Sequence, residues 1–115
     1  MRRGDIYFVA FDPAEGSEAA TTRPVVIVSN DGANRSSERT GRGTVTVVPI
    51  TSNVERVLSF QLLLEAGEGG LKHASKTQPE QIRAVSPSRF GHYVGTLGLE
   101  RMRQLDDGLR VHLSL

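Results

Sequence analysis

The alternation of apolar and polar residues predicts a run of short strands closed by one helix. Residues 5–11 are rich in aromatic and β-branched side chains and stop at Asp12-Pro13, which predicts a first strand. Residues 24–29 form an unbroken apolar run, the pattern of a strand covered on both faces, and Asn30-Asp31-Gly32 ends it with turn chemistry. Residues 33–43 are polar, Arg/Ser-rich and bounded by glycine, so a mobile loop is expected there. Residues 44–50 alternate Thr and Val before turning wholly apolar, and residues 57–64 are again β-rich; both read as strands. A glycine-rich turn spans residues 67–70, a short strand 81–85, one helical turn with proline at its start 86–88, and a further strand 93–97. The period then lengthens to about 3.6 residues. Leu99, Met102, Leu105 or Asp106, Leu109 and Leu113 share one face and Glu100, Arg101, Arg103 and Arg110 the other, an amphipathic helix over residues 99–113. Gly108 weakens it by about 1 kcal/mol relative to alanine.

Short strands, polar loops and one terminal helix place the chain in the α+β class: mainly β, a strongly bent sheet or barrel whose open side the helix covers. At 115 residues the chain is expected to be a single domain, residues 1–115. No apolar run approaches the ~20 residues of a membrane span, and no signal-peptide core follows Met1, so a cytoplasmic protein without membrane contact is expected. Zero cysteines exclude disulfides, thiol nucleophiles and zinc fingers. The net charge of +1 argues against a polybasic binder, yet its parts are uneven: −2 over residues 1–32, +2 over 33–50, 0 over 51–83 and +1 over 84–115. Of 14 basic residues 12 are arginine, whose planar fork fits phosphate bidentately.

Two stretches concentrate reactive groups. Ser17, Glu18, Thr21, Thr22 and Arg23 immediately precede the buried strand, and Pro24 holds Arg23 extended at the strand edge. The same composition also suits a solvated connector. Thr51 and Ser52 stand where the strand ending at Ile50 runs out, either as caps or as groups delivered to a site shared with Arg23. His73, His92 and His112 are scattered; a two-histidine acid/base nuclease would use such residues near neutral pH, but a surface position is expected for each. No His/Asp/Glu set has ligand spacing, so neither metal nor cofactor is expected.

In order along the chain, Arg3-Gly4-Asp5-Ile6-Tyr7, Gly16-Ser17-Glu18 with Arg23-Pro24, and Val26-Ile27-Val28-Ser29-Asn30-Asp31 with Asn34 match one pattern. Val48-Pro49-Ile50-Thr51-Ser52 and Glu80-Gln81-Ile82-Arg83-Ala84-Val85 with Arg89 continue it, as do Gly95-Thr96-Leu97 and the terminal helix. The chain resembles the MazF/PemK toxins nearly end to end. That resemblance implies an SH3-like barrel of the CcdB/MazF type. It also implies a homodimeric toxin of a type II toxin–antitoxin pair that cuts single-stranded RNA without metal and is held by a MazE-like antitoxin.

By position, the resemblance makes Arg23 and Thr51 catalytic, with Glu18 at the family's acidic position as a possible base. It places Gln81 and Arg83 on the RNA groove. The hydroxyls of Ser17, Thr21, Thr22 and Ser52, and Arg35, Arg39 and Arg42 of the basic middle stretch, complete the RNA-binding candidates. Ala19 and Ala20 depart from the family pattern, so sequence preference is expected to differ. Residues 75–79 are polar for a strand, and Pro79 cannot donate to a ladder, which suggests an edge strand flanking the RNA. Two other readings share the fold: a non-enzymatic gyrase poison and a plain SH3-like binding module.

Overall fold

Seven strands make one antiparallel sheet in the computed structural model, which describes residues 1–11 and 22–115. They are β1 (Asp5–Ala10), β2 (Thr22–Ile27), β3 (Val45–Thr51), β4 (Leu63–Leu64), β5 (Ser75–Thr77), β6 (Arg83–Val85) and β7 (Phe90–Thr96). Two helices accompany them, α1 (Asp31–Thr40) and α2 (Leu99–Leu113). The strand order is β4-β5-β3-β2-β1-β7, with β6 on β3. The sheet curls into a half-barrel and α2 covers its open side, as expected of the α+β class.

Alternation in the central strands explains why both faces are buried. Ile6, Val26, Val48 and Ile50 point to one side, where Leu64, Leu71 and Met102, Leu105 and Leu109 of α2 close over them. Val9, Val25, Ile27, Val45 and Val47 point to the other, with Phe11 and Val85. The apolar run of β2 thus serves two cores, and α2 has the bounds its period predicts.

Three expectations are corrected. Residues 31–40 are helix rather than mobile loop. Asn30 caps α1 by accepting the Ala33 N–H at 2.8 Å, and Gly41, at φ 68°, closes it by donating to the Ser37 carbonyl at 2.8 Å. Without an apolar stripe, the helix docks through polar burial. Asn34 is fully buried, its Nδ2 donating to the Ser29 carbonyl at 2.9 Å, while the Ser29 hydroxyl accepts the Thr46 N–H at 3.0 Å.

Residues 57–64 are also not a full strand, since only Leu63–Leu64 pairs. Gln61 turns the chain there: its buried side chain accepts the Leu58 N–H at 2.9 Å and donates to Glu80 at 2.8 Å. Nor is the polar stretch at 75–79 an edge. β5 lies between β4 and β3, and Thr77, wholly buried, exchanges two hydrogen bonds with Leu62. Pro79 falls past the ladder, in a 3₁₀ turn where its missing N–H costs nothing.

Candidate functional site

Arg23 stands on β2 opposite Val9 of β1, and Thr51 ends β3. The β2–β3 pairing ends at Val25 and Pro49, so Arg23 and Thr51 each stand two residues past the same end of it. Both line one cavity of about 710 Å³, with Thr22 and Ser52 beside them. Arg23 is exposed and Thr51 half-buried. The Thr51 hydroxyl oxygen accepts the Asn53 N–H at 3.2 Å, which holds the side chain and leaves its O–H to donate. A guanidinium and a hydroxyl at the ends of adjacent strands can together present several N–H and O–H donors to an anionic group.

The opposite wall comes from Phe8 of β1, from His92, Tyr93 and Val94 of β7, and from Lys72 and His73. A β-bulge shapes it. Tyr7 pairs with Tyr93 and Val9 with Phe90, so two steps along β1 correspond to three along β7, and the surplus residue lies at Gly91-His92 opposite Phe8. The His92 ring rests on the Phe8 ring at 4.6 Å between centroids. Gly91 permits this approach, since a Cβ there would stand 3.2 Å from the Phe8 carbonyl oxygen.

Lys72 and His73 reach the same space because the 3₁₀ turn Glu68–Gly70 lies directly on β7. A Cβ on Gly95 would fall 2.1 Å from the Gly69 oxygen, and one on Gly70 2.2 Å from the Val94 oxygen. Arg101 of α2 fastens the turn from outside, donating to both carboxylate oxygens of Glu68 at 2.8 and 2.9 Å. That guanidinium, with a second hydrogen bond from the Glu65 N–H, lowers the Glu68 carboxyl below its ordinary value.

Of the sequence candidates, the cavity therefore gathers Thr22, Arg23, Thr51 and Ser52. Ser17, Glu18 and Thr21 lie outside the described residues, as do Ala19 and Ala20. Gln81 and Arg83 do not line the cavity: Gln81 is exposed in a 3₁₀ turn, and the Arg83 guanidinium sits 4.5 Å above the Phe11 ring. Arg35 and Arg39 are exposed on α1 and Arg42 just beyond it, and none of the three lines the cavity. The sequence pattern did not point to Phe8, Lys72 or Tyr93, whereas His73 and His92, exposed as expected, also line the cavity. The glycine within a β-rich run before His92 was the available signal for a bulge. Among the described residues, no group of three or more His, Cys, Asp or Glu could hold a metal ion, and no helix is long and apolar enough to cross a membrane.

A family model described as PemK-like, MazF-like toxin of type II toxin-antitoxin system matches residues 2–113. The chain belongs to this toxin family. Among its MazF relatives, Endoribonuclease MazF9 of Mycobacterium tuberculosis is 49% identical over 115 residues, covering 100% of this chain and 98% of that protein. Endoribonuclease EndoA of Bacillus subtilis is 32% identical over 116 residues, covering 100% and 96%. A solved mycobacterial endoribonuclease in complex with its cognate antitoxin superposes with a TM-score of 0.77 at 21% identity, covering 100% of this chain and 96% of that one. MazF from a MazE–MazF structure of Deinococcus radiodurans gives 0.79 at 19% identity, covering 100% and 96%. At such identities these two structures speak to the MazF fold alone.

Proposed function

We propose that this MazF-family chain is a sequence-specific endoribonuclease toxin that cuts single-stranded RNA, chiefly mRNA, without a metal ion and so stops translation and growth. It works as a homodimer and is neutralised by a MazE-like antitoxin. The observation that carries the reading is the meeting of Arg23 and Thr51 in one cavity, in a chain whose full-length relatives are named endoribonucleases.

The chemistry follows from those groups. The ribose 2′-oxygen attacks its adjacent phosphorus, and the bond to the 5′-oxygen breaks, leaving a 2′,3′-cyclic phosphate and a 5′-hydroxyl. Negative charge gathers on the non-bridging phosphate oxygens as the new bond forms. Arg23, donating several N–H groups there, stabilises the transition state more than the ground state, and Thr51 adds a further donor. An arginine guanidinium holds its proton too tightly to serve as the base, and Glu18 is one candidate acceptor of the 2′-hydroxyl proton. Thr22 and Ser52 then hold the strand beside the reacting phosphate. Ser17, Thr21, Gln81 and Arg83, with Arg35, Arg39 and Arg42, meet its more distant parts.

The test is cleavage of a long single-stranded RNA in excess EDTA with analysis of the new ends. Wild type is expected to leave 2′,3′-cyclic phosphates. Arg23→Ala, at an exposed position, should stay folded and lose at least about a hundredfold in rate, the effect of removing one transition-state donor. Undiminished cleavage by that variant would overturn the mechanism. RNA left intact by wild type that still arrests growth would favour the non-enzymatic toxin.

A further inference from the structure

We propose that His73 and His92 move the protons of the cleavage reaction, one imidazole accepting the 2′-hydroxyl proton and the other protonating the departing 5′-oxygen. The inference rests on the ribonuclease reading and names its acid and base. Among the described residues that line the cavity, the side chains that can exchange a proton in water are those of Arg23, Lys72, His73, His92 and Tyr93, besides the hydroxyls. No carboxylate is among them. Guanidinium, ammonium and phenol groups titrate far above neutrality, whereas imidazole changes charge between about pH 5 and 8. The cavity thus supplies two groups of the one type suited to both tasks, and places them with the guanidinium that would hold the phosphate.

Both imidazoles are exposed, and the backbone around each is fixed. His92 occupies the β7 bulge, with its ring against Phe8 and Gly91 making room for the contact. His73 belongs to the stretch that the Gly69–Gly70 and Val94–Gly95 backbones hold together. Its carbonyl accepts the hydroxyl of Ser75, buried in β5, at 2.9 Å. Arg23 from β2, Lys72 beside His73 and the Tyr93 phenol beside His92 are the titratable groups facing them around the cavity. On the elements packed against β7, Asp5 of β1 is engaged by Thr96 and Arg2, Glu68 by Arg101, and Tyr7 lies edge-on to Tyr93.

The step balances without any co-reactant. One neutral imidazole takes the proton as the 2′-oxygen forms its bond to phosphorus. As the bond from phosphorus to the 5′-oxygen breaks, the imidazolium gives its proton to that oxygen. The two rings exchange protonation states, and water restores them.

The experiment measures the cleavage rate of a long single-stranded RNA in EDTA from about pH 5 to about pH 9, bracketing imidazole titration. It compares wild type, His73→Asn, His92→Asn, His92→Phe and Glu18→Gln, with RNA binding measured beside each. Wild type is expected to give a bell-shaped profile. Each asparagine variant should lose about a hundredfold to ten-thousandfold and abolish one limb, the acidic limb marking the base and the alkaline limb the acid. His92→Phe keeps a ring on Phe8, so it should bind RNA and still lose the limb. Wild-type activity in His92→Phe would make His92 a stacking surface and overturn the proposal. So would unaltered limbs in both asparagine variants, or loss of the acidic limb in Glu18→Gln alone. A wild-type protein that cleaves nothing overturns the ribonuclease reading itself, a result distinct from all of these.

Discussion

Replacing Gly108 with alanine opposes two effects of known size, and the packing of α2 decides between them. In an exposed helix interior the change would stabilise by about 1 kcal/mol, because glycine loses more backbone freedom on folding. Gly108 is buried, however, and an added Cβ would stand 2.3 Å from the Phe60 carbonyl oxygen and 3.3 Å from Pro79 Cγ. The first is backbone and cannot rotate away, so α2 or the Phe60 segment must retreat by about 1 Å to reach ordinary contact distance. Leu105 and Leu109, buried in the same core, would move with the helix. Forcing a methyl group into a packed interface costs about 1–3 kcal/mol. The expected net effect is a loss of about 1 kcal/mol, or roughly 4 °C in Tm for a chain of this size. Urea unfolding at one fixed protein concentration reads it as a lower midpoint with unchanged slope. Gly32→Ala in α1 is the control, because it is exposed and its Cβ would find only Asn30 Oδ1 at 3.4 Å. That variant should gain up to about 1 kcal/mol. A Gly108→Ala protein more stable than wild type would refute the reasoning.

Two further outcomes follow from charges outside the cavity. Because Arg101 depresses the Glu68 carboxyl, their pair stabilises the fold above about pH 4.5 and the benefit disappears as pH falls through the lowered folded value. The stability difference between wild type and Glu68→Gln, followed by urea unfolding, should therefore shrink on acidification; a gap that widens would contradict it. If Arg35, Arg39 and Arg42 each meet an RNA phosphate, replacing all three with glutamine should flatten the plot of log binding constant against log salt by about 2, at roughly 0.7 per contact for a single strand. An unchanged slope would remove them from the interface.

Legibility in the sequence tracked how local the determining interactions are. β1, β2, β3 and α2 were readable because each buries a face whose period appears within its own residues. α1 was not, since its helix depends on caps at Asn30 and Gly41 and on two buried polar residues, Asn34 and Ser37. Its cap signals were present, but an Arg/Ser-rich stretch without an apolar stripe resembles a loop. β4 and β5 are two and three residues long and exist through pairing with partners far along the chain. The site divides in the same way. Arg23 and Thr51 were legible as strand-end residues, whereas His73 and His92 line the same cavity from segments apart in the chain.

Near-neutral total charge is compatible with an anionic substrate because several of the acids are paired elsewhere. Asp106 pairs with Arg3, Glu68 with Arg101, Asp107 with Arg110, Glu100 with Arg103 and Glu38 with the amino terminus, all apart from the cavity lining. The described lining carries Arg23 and Lys72 and no carboxylate, so those residues contribute local positive charge in a chain whose sum is +1. A local field of this kind attracts phosphate at short range while the low total limits indiscriminate binding along a polyanion. It also restricts how the proposed antitoxin could block the site. An apolar segment would bury Arg23 and Lys72 without partners, at the cost of desolvating both charges. An extended segment bearing carboxylates would satisfy them, and it would compete with RNA for the same two cations.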